Sequence, residues 1–343
     1  MLFINQYHAQ KLNIKLHNIY IFALEFDEMG YRIFPFQNKN IKIKIATLNC
    51  KNLSTTSELE KFQWIIKQIR DSDADIISLQ EINKVEALAT IISGLNNVAS
   101  TYSECHHELP LANTRFNEYI GFIYKTEKIK SFGCVTFTDE DKKRYIGNIN
   151  KLMIRSPVYA KFSIGSGGSA VPIIILAYHC NQKHPMYDCI QIKNNLKAIQ
   201  YTNPHVKTCF ILGDFNTHCE DLLSFRKLYK YGWKSIFTSR NIYTNTKNTT
   251  QYDHIWYHSE NTNLICEPIV LRQPAAEETA HSDHCLVVAN FEIMSTAAAD
   301  TLISLPDMYS VMRDKLHANT RNYIKKKRYN ICGSFGCFGA SGE

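Results

Sequence analysis

Six polar positions or clusters end or open apolar runs at places where a hydrophobic core would select none of them. Asn49 follows the run that begins at Ile41, Gln80-Glu81 ends Ile76–Leu79, and His179 ends Ile173–Tyr178. Gly213-Asp214-Phe215-Asn216 ends Thr208–Leu212, Asp253-His254 lies at the start of Tyr252–Tyr257, and Ser282-Asp283-His284 precedes Leu286–Phe291. Singly these are weak signals: an Asp-Phe-Asn is most often a turn, and a Ser-Asp-His a cap or loop. If the runs share sheets, their ends converge on one rim that carries His, carboxylates and Asn. Carboxylate and amide oxygens suit a hard divalent cation such as Mg²⁺ or Mn²⁺, with water positions left open. His moves protons near neutral pH. The combination fits hydrolysis of a phosphate ester.

Such a rim needs strands to carry it. Ile41-Lys42-Ile43-Lys44-Ile45 alternates strictly, which predicts a half-buried strand opening the main domain. Ser54-Thr55-Thr56-Ser57 supplies N-cap types, and Leu59, Phe62, Ile65, Ile66 and Ile69 mark the apolar face of a helix. Cys189, Ile192, Leu196 and Ile199 mark a second helix, and Leu222 to Tyr231 a third. Further strands are expected at Ile76–Gln80, Tyr119–Tyr124, Val158–Phe162, Ile173–Tyr178, Thr208–Leu212, Tyr252–Tyr257 and Leu286–Phe291. Strands outnumber helices, so the expected architecture is two packed β-sheets flanked by helices, an α/β (α+β) class. Residues 1–40 read as an extension, with Ile19 to Phe26 and Tyr31 to Phe36 a candidate hairpin. Residues 41–293 form the main domain and 294–343 a linker and tail. Gly165 to Ser169 reads as a hairpin tip.

The chain has 343 residues, 45% hydrophobic, 12% aromatic and 21% charged, a globular balance that excludes bulk disorder, collagen and coiled coil. The formal charge is +7. Val311–Arg328 contributes +6 of it, through seven Lys/Arg against Asp314, and leaves a body of +1. The tail offers an anionic membrane, a protein or nucleic acid a sequence-independent contact. No transmembrane run and no Sec-type signal is evident. Eleven scattered Cys suggest reduced thiols and a cytoplasm-like compartment; Cys332 and Cys337 are weak evidence for a metal.

The order Thr47-Leu48-Asn49, Gln80-Glu81-Ile82, His179, Gly213-Asp214-Phe215-Asn216, Tyr252-Asp253-His254-Ile255, Ser282-Asp283-His284 resembles the endonuclease/exonuclease/phosphatase superfamily, over roughly 41–293. The resemblance implies a four-layer α/β/β/α sandwich of two mostly antiparallel sheets and divalent-metal-dependent phosphoester hydrolysis. Two stretches, Phe116-Asn117-Glu118-Tyr119-Ile120-Gly121-Phe122-Ile123-Tyr124-Lys125 and Arg155-Ser156-Pro157-Val158-Tyr159-Ala160-Lys161-Phe162, are similar to deoxyribonuclease I-like nucleases. By that resemblance Glu81 is the main metal ligand, helped by Asn49 and Asp283. His284, oriented by Asp253, activates the attacking water. His179, oriented by Glu118, protonates the leaving oxygen. Asp214 and Asn216 position water and the non-bridging oxygens, and Arg155 pairs with phosphate or braces the site.

Some positions depart from that group. Asn83 stands where an Arg enters the minor groove, which removes its attraction to the groove's negative potential. Phe116 still supplies an aromatic wedge. Cys219 matches a disulfide cysteine whose partner position is Thr250, so that bond is absent, and His254 replaces the usual Arg. The favoured function is a DNA endonuclease. A phosphatase or phosphodiesterase on a phosphoinositide or sphingomyelin head group is the alternative, and a catalytically silent binding module is the remote one.

Overall fold

The structure, a computed structural model, describes residues 22–27, 30–35, 40–97, 101–108, 110–111, 117–136, 155–166, 170–238, 241–272 and 281–294. Phe116, the end of the expected hairpin tip (167–169), the linker at 295–299, the basic segment 311–328, Cys332 and Cys337 lie outside the described residues.

Two mixed sheets form the body. The first runs in the order β13 (Thr262–Leu264), β15 (Leu286–Met294), β3 (Asn40–Leu53), β4 (Ile76–Ile82), β6 (Tyr119–Lys125), β5 (Tyr102–His106), with β14 (Ile269–Leu271) also paired to β15. The second runs β11 (Trp233–Ser235), β12 (Asp253–His258), β10 (Thr208–Asp214), β9 (Val171–His179), β8 (Val158–Ile164), β7 (Ile129–Thr136). Only β3–β4 and β9–β10 are parallel among these pairs. A separate antiparallel hairpin joins β1 (Phe22–Asp27) to β2 (Gly30–Pro35), at the place expected in the N-terminal extension.

The alternation along each strand sorts side chains into layers. On β3, Ile43 and Ile45 face the second sheet, and Ala46 and Leu48 face helices α1 (Leu59–Ser72) and α2 (Glu86–Asn96). Helices α3 (Pro185–Thr202) and α4 (Leu222–Lys230) cover the other sheet, burying Cys189, Ile192, Leu196, Ile199 and Phe225. Between the sheets, Phe210 meets Phe291 at 4.8 Å and Phe122 meets Phe162 edge-on. The result is the α/β/β/α sandwich that the family resemblance implies, and it contains the two packed sheets flanked by helices expected from the strand pattern.

Local details differ from expectation. The N-cap of α1 is Glu58, which makes no side-chain cap hydrogen bond; Ser57 Oγ instead accepts from Ser54 N at 2.9 Å. Helix α2 was not anticipated, although Ala87, Leu88, Ile91 and Leu95 form a buried face. Strands β5 and β7 escaped because their partly buried, mixed sequences show no clean alternation. None of the nine described cysteines forms a disulfide, and Cys219 Sγ instead donates to Gln251 Oε1 at 2.9 Å.

Candidate active site

Register delivers the site residues to one end of each sheet. In the first sheet Asn49 lies opposite Gln80 across the parallel β3–β4 pair. In the second, Asp214 lies opposite His179 on its parallel neighbour and opposite Asp253 on its antiparallel one, so the three form a row across adjacent strands. Gly213 lets that row close up. It has φ 127°, and a Cβ there would stand 2.0 Å from the Tyr178 carbonyl oxygen.

Glu81 reaches the site through an irregularity. The pairing of β4 shifts register with β3 after Asn49 and with β6 after Leu79, and Glu81 adopts φ 55°. A bulge of this kind re-aims a side chain that a regular strand would send elsewhere. Lys51 (φ 48°), Asn52 (φ 60°) and Asn216 (φ 49°) share the left-handed conformation. Such strain concentrates where surrounding structure over-determines it, characteristically at functional sites.

The side chains converge on Asp214 Oδ2. Asn49 Nδ2 donates to it at 3.0 Å and to Glu81 Oε1 at 2.9 Å. His179 Nε2 lies 3.7 Å away and His284 Nε2 3.6 Å away. Behind each imidazole stands a carboxylate: Glu118 Oε1 against His179 Nδ1, and Asp253 Oδ2 at 2.9 Å from His284 Nδ1. Asn216 N donates to Asp214 Oδ1 at 2.8 Å, and Asn216 Nδ2 donates to the Cys180 carbonyl at 2.9 Å. Arg155 Nη2 lies 3.2 Å from Glu118 Oε2, so it braces the carboxylate that braces His179.

Asp283 is not gathered into this cluster. Its carboxylate is 54% exposed and lies 3.8 Å from Lys51 Nζ at the rim. Asn83 sits on the same rim, where its amide donates to Asn52 Oδ1 at 3.3 Å. His254 is fully buried among Phe215, Phe225, Phe237 and Trp256, with Nε2 donating to the Thr217 carbonyl at 2.8 Å. Its position and contacts make it a packing residue that secures the turn after Asn216.

Burial opposes charge on both imidazoles of the cluster. For His179 the hydrogen bond and charge of Glu118, with Asp214, outweigh it and raise the pKa above the ordinary value. For His284 the charges of Asp253 and Asp214 outweigh burial and raise it to about 10. For His254 burial outweighs the Thr217 carbonyl and the charge of Asp214 and lowers the pKa to about 4, which keeps it neutral.

Asp214, Asp253 and His284 bring one ligand atom each within 4.8 Å of one another, and the Asn49–Glu81 pair adjoins them. The donors are oxygens and imidazole nitrogens. The thiols nearest in sequence do not compete: burial pushes Cys50 up to about 12 and Cys180 well above its usual value, so both stay protonated. A hard cation fits this donor set and a thiolate-seeking one does not.

Several supporting groups carry no sequence signal. Thr244 Oγ1 accepts from the backbone N–H groups of Tyr252 and Asp253, at 3.0 and 3.1 Å, and Thr244 O accepts from Cys285 N at 2.7 Å. One buried Thr thereby ties Asp253 to the loop of His284. Ser282 Oγ donates to the Asn49 carbonyl at 2.8 Å and links that loop to β3; it stands inside a motif visible in the sequence.

Comparison with known proteins agrees with this architecture. The protein structurally resembles an endonuclease/exonuclease/phosphatase protein of Bacteroides vulgatus, at 14% identity and TM-score 0.56, covering 74% of this chain and 99% of that one. The human Nocturnin catalytic domain, solved with bound sulfate, aligns at 16% identity and TM-score 0.55, covering 76% and 98%. A mannosyl-6-phosphatase of Bacteroides thetaiotaomicron aligns at 14% and 0.51, covering 73% and 99%. At these identities the likeness is one of fold. No curated protein matches the sequence significantly. Among the described residues no helix is long and apolar enough to cross a membrane. The sequence model described as the Endonuclease/Exonuclease/phosphatase family matches residues 46–284, well over half of the sequence, and the chain belongs to that family.

Proposed function

We propose that the protein is a divalent-metal-dependent phosphodiesterase that hydrolyses DNA by in-line attack of water. Members of this family are in general phosphoester hydrolases. The observation that carries the proposal is the facing of two His–carboxylate pairs, with His179 Nε2 and His284 Nε2 both within 4 Å of Asp214 Oδ2. An in-line displacement needs a proton removed on one side of phosphorus and supplied on the other. Protonated His179 donates to the leaving oxygen, held in orientation by Glu118 and Arg155. His284, oriented by Asp253, takes the proton of the attacking water. Asp214 and Asn216 orient that water and the non-bridging oxygens.

Glu81 and Asn49 would hold Mg²⁺ or Mn²⁺, and Asp283, which stands at the rim, would join them only by turning inward. Bound there, the cation supplies positive charge that polarises the phosphoryl oxygen and offsets charge developing in the transition state. Without a cation, Asp253 and Asp214 favour protonated His284. A group held protonated by two carboxylates serves as a base only where positive charge offsets their field. Arg155 Nη1 is buried without a hydrogen-bond partner among the described residues, a donor suited to a phosphate oxygen.

The DNA assignment rests on the Glu118 and Arg155 stretches, and phosphoinositide or sphingomyelin head groups are its competitors. A plasmid-nicking assay with Mg²⁺, run beside a panel of those lipids, separates them. Wild-type protein nicks plasmid, EDTA abolishes the activity, and His179→Ala lowers kcat by about 10²–10⁴-fold. Lipid hydrolysis without nicking defeats the substrate assignment; full activity in His179→Ala defeats the mechanism.

A further inference from the structure

The end of β3 makes a contact that none of the roles above uses. Lys61, in the first turn of α1, extends a partly buried side chain whose ammonium donates to the Lys51 carbonyl at 2.5 Å. The same peptide group continues as the Asn52 N–H, which donates to Glu81 Oε2 at 3.0 Å. One residue earlier, Lys51 N donates to Asn49 Oδ1 at 2.9 Å. A cation, one peptide plane and a carboxylate therefore stand in series, and the neighbouring amide fixes the Asn49 side chain. Hydrogen bonds in such a chain polarise one another, so a positive charge on the carbonyl strengthens the N–H as a donor.

The backbone that carries the series is strained. Lys51 and Asn52 are consecutive left-handed residues, at φ 48° and 60°. For a residue with a Cβ this conformation is sterically unfavourable, less so for Asn than for Lys. Left to itself the strand end would relax and carry both amides away from Asn49 and Glu81. The Lys61 ammonium opposes that relaxation from outside the site.

We infer that Lys61 is a positioning residue for the cation-binding pair Asn49–Glu81, acting through the Lys51–Asn52 peptide. This rests on the metal-dependent reading above. It holds Glu81 Oε2 against the backbone and leaves Oε1, already aligned by Asn49, facing the site. Its hydrogen bond goes to the backbone and not to a group assigned to the reaction.

The test compares full-length wild type with Lys61→Met, which keeps the apolar stem, Lys61→Gln, and Lys61→Arg, which keeps the charge. Mn²⁺ affinity is read by electron paramagnetic resonance, alongside thermal midpoint and the kcat and KM for plasmid nicking. Lys61→Met and Lys61→Gln are expected to weaken Mn²⁺ binding by about 10–100-fold, the usual effect of removing an outer partner of a metal ligand. Thermal midpoint and plasmid KM stay near wild type, and Lys61→Arg recovers most of the affinity. Neutral variants that bind Mn²⁺ as wild type does overturn the inference. So do neutral variants that fail to fold while Lys61→Arg folds, because the contribution is then to stability. A wild-type protein that neither binds Mn²⁺ nor nicks plasmid overturns the hydrolase reading itself, a result distinct from both.

Discussion

Asp214 carries the densest set of contacts of any single side chain in the cluster. Its Oδ2 receives Asn49 and faces both imidazoles, while its Oδ1 accepts from Asn216 N. Its charge helps raise the pKa of both His179 and His284. Replacing it with the near-isosteric Asp214→Asn should therefore lower both imidazole pKa values together, measured by NMR titration of metal-free protein. A shift of one imidazole alone would show that Asp214 does not couple the two sides. Asn49, Glu81, His179, Asp214, Asp253 and His284 could be picked out from sequence because polar residues that end apolar runs stand out against a core pattern. Thr244 and Lys61 could not. Their importance lies in which backbone atom each approaches, and no periodicity or composition encodes that.

Close approach of β9 and β10 sets the row His179–Asp214–Asp253, and the lack of a side chain at Gly213 permits it. Gly213→Ala should destabilise the protein by at least about 2 kcal/mol, since the clash is with backbone and φ is positive. Urea unfolding measures the loss, and the refolded variant should also lose nicking activity. Helix α1 offers the opposite case. Glu58 has N-cap geometry, at φ −60° and ψ 147°, but makes no side-chain cap bond. Glu58→Ser should supply one and raise stability by about 0.5–1 kcal/mol, read from the urea midpoint. At this scale the sequence was most informative where burial is one-sided or complete. The strands from Ile76, Val158, Ile173, Thr208 and Leu286 were all readable from apolar runs, and the structure extends each by two or more residues. The elements without such a run, α2, β5, β7 and the three-residue strands β11, β13 and β14, owe their form to neighbours distant in the chain.

Across the whole molecule, acidity should act on stability through His254. Its folded pKa of about 4 lies below the ordinary His value near 6.5, because the fold buries it uncharged. Between those values the unfolded chain binds the proton that the folded one refuses, so this contribution to stability falls as pH drops from about 7 towards 4. His179 and His284, with raised pKa values, oppose this in the upper part of the window, so the decline in the urea midpoint should appear below about pH 6, and His254→Gln, which keeps a donor for the Thr217 carbonyl, should flatten it. An equal slope in the variant would place the sensitivity elsewhere. Charge distribution along the chain was also readable: the near-neutral body predicts that intrinsic DNA affinity is weak.

The left-handed residues Lys51 and Glu81 set stability and activity against each other. Glycine relieves such a conformation by about 0.5–1 kcal/mol, so a screen for heat resistance would favour it at Lys51, and at Glu81 to the extent that the relief exceeds the loss of the bonds from Asn49 and the Asn52 amide. An activity screen would reject it at Glu81, which loses its carboxylate, and would discount it at Lys51, where a freer backbone aims the Asn49 and Glu81 contacts less well. Ordinary core positions would score alike in the two screens. Disagreement between them, mapped without reference to any substrate, would trace the outline of the working site.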